Sequence, residues 1–198
     1  MLLDTRRVAH RGEGPTASFE WAVSAAASVA VHLRHSGYRI RLVTGGGADI
    51  DSTERDGDGI LLDTLAEAEL TLNGNIPGLV DMVRRRTDGG VVIAVLGGLS
   101  VAEAESLVAL RASGRTCVAL LIDPATWLNL SEAERAQTTA NHEAASLILL
   151  RGGWRVVTVT HGARLHTLWP AVASRGSQGF AVRAALAETV APSGTRRS

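Results

Sequence analysis

The residues best placed to do chemistry stand at the start of this chain. The apolar run Met1-Leu2-Leu3 ends in Asp4, and a polar, glycine-rich loop follows: Thr5-Arg6-Arg7-Val8-Ala9-His10-Arg11-Gly12-Glu13-Gly14-Pro15. A buried strand that ends in a carboxylate and opens into such a loop is how an open α/β domain builds the lip of a ligand or partner site. Asp4 can accept loop amides or pair with Arg6 or Arg7, and this structural role is the preferred reading. His10 is the one nearby group able to exchange a proton near neutral pH. Ser18 and Ser24 come next, but no His and Asp are placed to make either a hydrolase nucleophile.

The other candidate groups are weaker. His32 and His35, three apart, could share a metal, but no third ligand is in view. The segment from Ala48 to Gly59 carries Asp49, Asp51, Glu54, Asp56 and Asp58 without the spacing of a calcium loop, so a solvated loop or a short edge hairpin is expected. Cys117, the single cysteine, lies in the apolar run Cys117-Val118-Ala119-Leu120-Leu121-Ile122, where a buried, inert thiol is expected. All 20 basic residues are Arg, and the absence of Lys excludes a P-loop, a pyridoxal Schiff base and a protein-kinase site. The 20 acidic residues cancel that charge, so no net field favours nucleic acid.

These groups need elements to position them. At 198 residues and 45% hydrophobic, the chain can bury one good core. No apolar stretch reaches the roughly 20 residues of a membrane span, and the chain reads as cytoplasmic. Helical spacing of Phe19, Val23, Ala26, Ala30 and Leu33 predicts a helix over Ser18 to Arg34, capped by Thr16 or Ser18 and closed at Ser36-Gly37. Arg39 to Thr44 reads as a second strand near the sheet edge. Two helices follow, the first capped by Asp58 with Leu61 and Leu65 inward, the second starting at Asn75 with Pro77 in its first turn.

Gly90 to Leu96 is an unbroken apolar run and predicts a central strand. Ser100 and Glu103 form a capping box for a helix running to Ser113-Gly114. Thr116 to Ile122 is a further strand. Ser131 to Glu134 is expected to cap a single turn, and Asn141 to Arg151 to form a separate helix burying Ala144, Leu147 and Ile148. Trp154 to Val159 is the last strand, and Leu165, Leu168, Trp169 and Val172 predict a final helix bent or cut short by Pro170. Residues 1–174 therefore read as one α/β domain, and 175–198 as an extension whose end, Ala191 to Ser198, is a disordered tail.

Strand and helix alternate about five times, which predicts a three-layer, Rossmann-like open sheet, mainly parallel, with helices on both faces. The functional edge then falls where the first strand and the Val91 strand end side by side. Asp4, the loop from Thr5 to Pro15 and the turn Gly97-Gly98 should meet there.

Four segments, "LLDTR" at Leu2 to Arg6, "SFEWAVSAAASVAVHLRHSGYRIRLVT" at Ser18 to Thr44, "LLDTLAEAE" at Leu61 to Glu69 and "GGWRVVTV" at Gly152 to Val159, resemble a bacterial family. It is the domain-of-unknown-function family numbered 58, whose C-terminal half is similar to a von Willebrand factor type A domain. In that fold a divalent metal is held by Asp-x-Ser-x-Ser after the first strand, a Thr from the next loop, and an Asp after the fourth strand. Carried over, Asp4 matches the first position, Arg6 and Val8 replace the two serines, and Gly97-Gly98 replaces the later Asp. The resemblance thus implies a degenerate metal site that binds no metal and no other cofactor.

Members of the family resemble one another in carrying membrane helices and a small β region ahead of this domain, and in accompanying MoxR-type AAA+ ATPases. The resemblance therefore implies a truncated first strand here, and a location at the inner face of the membrane through an upstream segment. It also implies a non-enzymatic module whose protein partner, an AAA+ ATPase, docks on Asp4, Thr5, Arg6, Arg7, His10, Gly97 and Gly98. The rival expectation is a small nucleotide- or divalent-metal-dependent binding protein or enzyme using the loop after the first strand.

Overall fold

A computed structural model describes residues 1–52, 59–85, 90–111 and 114–173. Among them six strands form one sheet: β1 (Leu2–Leu3), β2 (Ile40–Thr44), β3 (Asp49–Ser52), β4 (Val91–Leu96), β5 (Thr116–Ile122) and β6 (Arg155–Val159). Their order is β3-β2-β1-β4-β5-β6, all parallel except β3, which runs antiparallel to β2 at one edge. The helices are α1 (Ser18–His35), α2 (Gly59–Ala66), α3 (Ile76–Arg85), α4 (Val101–Val108), α5 (Glu132–Arg151) and α6 (Leu165–Ala173). α1, α2 and α6 cover one face of the sheet and α3, α4 and α5 the other, giving a Rossmann-like, three-layer α/β architecture.

The sequence explains this layering directly. β4 and β5 have helices on both faces, so nearly every side chain from Val92 to Leu96 and from Cys117 to Ile122 is buried. Each fully buried Leu or Val there stabilises the fold by about 1.5–3 kcal/mol. α1 lies close to the sheet because Ala22, Ala26 and Ala30 form its inner face. It ends at Gly37, whose φ of +83° suits glycine, with the Gly37 N–H donating to the Arg34 carbonyl at 2.8 Å. The segment after β2 turns through Gly45–Gly47 into the edge hairpin, one of the two expected forms. There Asp49 and Asp51 pair with Arg41 and Arg39 rather than converging on a cation.

Five expectations need correction. Neither Thr16 nor Ser18 caps α1: the N-cap is Ala17, and Ser18 Oγ is spent on the preceding loop. α4 is shorter than expected, ending at Val108. The predicted single turn and separate helix are one continuous α5, opened by the Ser131–Glu134 capping box. No Gly or Pro interrupts it, so the ladder propagates through its polar first half. Its buried face carries His142, Ala145, Ser146 and Leu149, whereas Ala144 and Ile148 are half-buried and Leu147 is 46% exposed. Contact with α4 and Trp154 sets that rotation, because the apolar arc is wider than the face it meets. α6 continues through Pro170 to Ala173.

Asp58 as a cap, Glu54, Asp56, Ser113 and the extension 175–198 lie outside the described residues. No described helix is long and apolar enough to cross a membrane.

Candidate functional site

The strand order reverses between β1 and β4, and the crevice over their C-terminal ends is where an open α/β sheet places a site. Asp4 follows β1 there, its N–H donating to Val95 of β4 at 2.9 Å. Its side chain is 0% exposed, so an ionised carboxylate needs full compensation. Arg6 supplies most of it. Asp4 Oδ1 accepts from the Arg6 backbone N–H at 3.0 Å and from Arg6 Nε at 2.9 Å, while Oδ2 accepts from Arg6 Nη2 at 2.7 Å and from the Gly97 N–H at 3.2 Å. A carboxylate offers about four lone-pair directions, and all are taken.

The Arg6 guanidinium, itself buried, extends the network. Nη2 also donates to the Gly98 carbonyl at 3.2 Å, and Nη1 donates to Glu103 Oε1. Glu103 Oε2 in turn accepts from the Ser100 N–H and hydroxyl, so one residue closes the α4 capping box and anchors the arginine. The Arg6 fork thus ties the end of β1 to the turn after β4 and to the first turn of α4.

His10 and Ser18 hold the loop from the other side. His10 Nε2 lies 2.7 Å from the Asp4 backbone carbonyl, which can only accept, so Nε2 carries the proton. Nδ1 then accepts from the Ser18 hydroxyl at 3.3 Å, and Ser18 Oγ accepts from the Arg11 N–H at 2.8 Å. Burial pushes the His10 pKa below its ordinary 6.5, and the Arg6 and Arg11 charges act the same way. The Asp4 charge and the bond to its carbonyl oppose this without reversing it. The ring therefore serves as a neutral strut. Ser18 is fully buried and His10 nearly so, and this arrangement has no exposed nucleophile for acyl transfer.

Asp4, Thr5, Arg6, His10 and the Gly97-Gly98 turn meet as the sequence predicts, but the first four are buried, as is Gly97. Arg7 alone among the candidate side chains is exposed. The Gly97-Gly98 turn is a close backbone approach, with the Gly98 N–H donating to the Ala9 carbonyl at 2.8 Å. A Cβ on Gly97 would stand 2.7 Å from Ala9 Cβ.

Two residues of this network were not singled out for it from the sequence. Glu103 is visible there only as part of a capping box. Thr71, in the loop between α2 and α3, has no spacing signal at all. Its N–H donates to the Thr5 carbonyl at 2.7 Å, its carbonyl accepts from the Arg7 N–H at 2.9 Å, and the two threonine hydroxyls lie 3.2 Å apart. Next to this clasp in the chain, Leu72 is 78% exposed and Val8 70% exposed. The far end of the loop is held by Trp127, whose indole N–H donates to the Thr16 carbonyl at 3.1 Å.

Among the described residues no three or more His, Cys, Asp or Glu side chains converge as a metal site. His32 instead meets the Trp169 ring edge-on, with centroids 5.0 Å apart. Compared with known proteins, the chain matches no family model, no curated protein and no solved structure.

Proposed function

We propose that this chain is a non-enzymatic protein-interaction module of von Willebrand factor type A-like architecture, docking a partner protein on the rim above β1 and β4. The observation that carries the reading is the Arg6 guanidinium bound to a fully occupied Asp4 carboxylate. At the position where a type A domain holds its cation, this chain carries a covalently attached positive charge. Such a site is assembled without metal and leaves no open ligand position.

The strand order with its antiparallel edge is compatible with the type A arrangement implied by the resemblance to the family numbered 58. Thr71 fits the threonine that such a site draws from a following loop. Recognition then falls to the side chains left outside. Arg7, Val8 and Leu72 are exposed on two loops whose backbones the Arg7–Thr71 bond ties together, so they lose little freedom when a partner binds. The surface they fit is one that pairs an acidic group with an apolar hollow. An AAA+ ATPase of the MoxR type is the partner the resemblance implies, and the same resemblance implies a location at the inner face of a membrane through an upstream segment of the family's proteins.

The test is binding of a co-encoded MoxR-type ATPase, measured by calorimetry with the wild-type chain and with Arg7→Glu, Val8→Asp and Leu72→Asp. Binding that each substitution weakens at least about tenfold supports the reading. Absent binding, or binding indifferent to all three, refutes it. Stabilisation of the wild type by several degrees with a nucleotide or Mg²⁺ would instead favour the rival ligand-binding reading.

A further inference from the structure

The loop between α2 and α3 carries a reactive pair that the Asp4–Arg6 network does not use. Asn73 is exposed, and Gly74 follows it. Among the described residues, neither the Asn73 carboxamide nor the Gly74 N–H makes a hydrogen bond. The other asparagines are placed differently. Asn75 Oδ1 accepts from the Gly78 N–H at 2.7 Å in the first turn of α3, and the branched, buried Ile76 follows it. Asn141 lies inside α5, where its Oδ1 accepts from Gln137 Nε2 at 3.0 Å. Asn129 is followed by Leu130.

Packing fixes glycine at position 74. A Cβ there would stand 2.8 Å from Thr71 Oγ1 and 3.1 Å from both Arg6 Cγ and the Gly45 carbonyl oxygen. Only a residue without Cβ lets the chain pass this close to the buried arginine. The same lack of a side chain leaves the Gly74 nitrogen unshielded, and a five-membered ring joins that nitrogen to Asn73 Cγ. The fold thus requires the neighbour that makes Asn73 reactive.

We propose that Asn73 is a site of self-modification, converted with water to a mixture of aspartate and isoaspartate, and that the isoaspartyl form releases the Thr71 clasp on the loop after β1. Solvent base takes the Gly74 N–H proton, and the nitrogen attacks Asn73 Cγ. The new N–Cγ bond closes a succinimide, while the carboxamide nitrogen takes a proton from solvent and leaves as ammonia. Water then adds to one of the two ring carbonyls. Breaking the bond from the Gly74 nitrogen to Cγ gives aspartate. Breaking its bond to the Asn73 main-chain carbonyl carbon gives isoaspartate, in which the main chain runs through Cβ and Cγ. One water is consumed and one ammonia released, with no oxidant or reductant.

Isoaspartate lengthens the main chain by one carbon between Thr71 and Asn75. Both ends of that stretch are pinned. Thr71 donates to the Thr5 carbonyl at 2.7 Å and accepts from the Arg7 N–H at 2.9 Å, while Asn75 holds the Gly78 N–H. Gly74, between them, has no room for a further atom on its Thr71 and Arg6 side, so the added length falls on the Thr71 pair. Aspartate keeps the chain length and leaves the clasp closed.

The test holds the full chain in mildly alkaline buffer beside a synthetic peptide of residues 70–76, with Asn73→Gln as the control because its longer side chain cyclises far more slowly. Peptide mapping reads conversion at each asparagine, and labelling by an isoaspartyl methyltransferase reads isoaspartate. Asn73 in the folded chain should convert within about tenfold of the peptide's rate, with Asn75, Asn129 and Asn141 intact and no label on Asn73→Gln. In the separated isoaspartyl chain the Arg7 and Thr71 amides should exchange about tenfold faster or more, whereas Asn73→Asp should exchange like the unconverted chain. Asn73 that stays intact while the peptide converts, or equal labelling of Asn73→Gln, overturns the site. Unchanged exchange in the isoaspartyl chain, or equal loosening in Asn73→Asp, overturns the release of the clasp.

Discussion

Replacing Arg6 by Met keeps the aliphatic stem and removes the guanidinium. Asp4 then loses two of its four donors, those at 2.9 and 2.7 Å, and the Gly98 carbonyl loses its partner at 3.2 Å. With 0% of Asp4 exposed, water cannot replace them. Breaking a buried pair by removing one member costs about 3–5 kcal/mol. Against a domain stability of about 5–15 kcal/mol, that is a large share, and it corresponds to a melting point about 10 °C lower. The contrast is Arg39→Met, which breaks an ion pair of 3.4 Å between side chains 72% and 57% exposed. Solvent screening limits that loss to less than about 1 kcal/mol. Urea denaturation followed by tryptophan fluorescence reads both variants, with the slope checked for constancy. Adding Asp4→Asn to Arg6→Met removes the stranded charge and should recover more than half of the loss. A cost for Arg6→Met close to that of Arg39→Met, or no recovery in the double variant, would refute the reasoning.

Two further outcomes follow from the buried groups. Because burial holds the His10 pKa below 6.5, the folded chain binds fewer protons there than the unfolded chain. The stability His10 contributes is complete above pH 6.5 and is lost as the pH falls through the lowered folded value, with a slope of up to about 1.4 kcal/mol per pH unit. His10→Gln should flatten that slope in denaturation measured from about pH 8 to pH 5, and an unchanged slope would show that His10 is not its source. Burial also pushes the Cys117 thiol up to about 11. Iodoacetamide at about pH 8 should leave the native protein unmodified and label it fully in urea, whereas native labelling at the rate of a free thiol would contradict the buried placement.

Legibility followed the range of the interaction that sets each feature. β4 and β5 are plain in the sequence because burial on both faces writes an unbroken apolar run. The Ser100–Glu103 and Ser131–Glu134 boxes are plain because their partners lie three residues apart. The Gly37 stop of α1 is local in the same sense. The rotation of α5 was not legible, since Leu147 and Leu149 are equally apolar and only the position of α4 and Trp154 decides which one is covered.

The candidate site divides in the same way. Sequence alone determined that a carboxylate ends β1, that an arginine-rich loop follows, and that this loop meets the Gly97-Gly98 turn, because alternation of strand and helix leaves one place where the strand order reverses. It left open whether Asp4 pairs with Arg6 or Arg7. The tertiary structure chose Arg6, buried it, and left Arg7 exposed. It also brought in Thr71 from 66 residues beyond Thr5 and Glu103 from 97 residues beyond Arg6. Partners at such separation leave no periodicity or spacing in a chain. They are selected when the folded sheet removes water from Asp4 and the carboxylate must find its compensation among whatever donors the packing brings within reach.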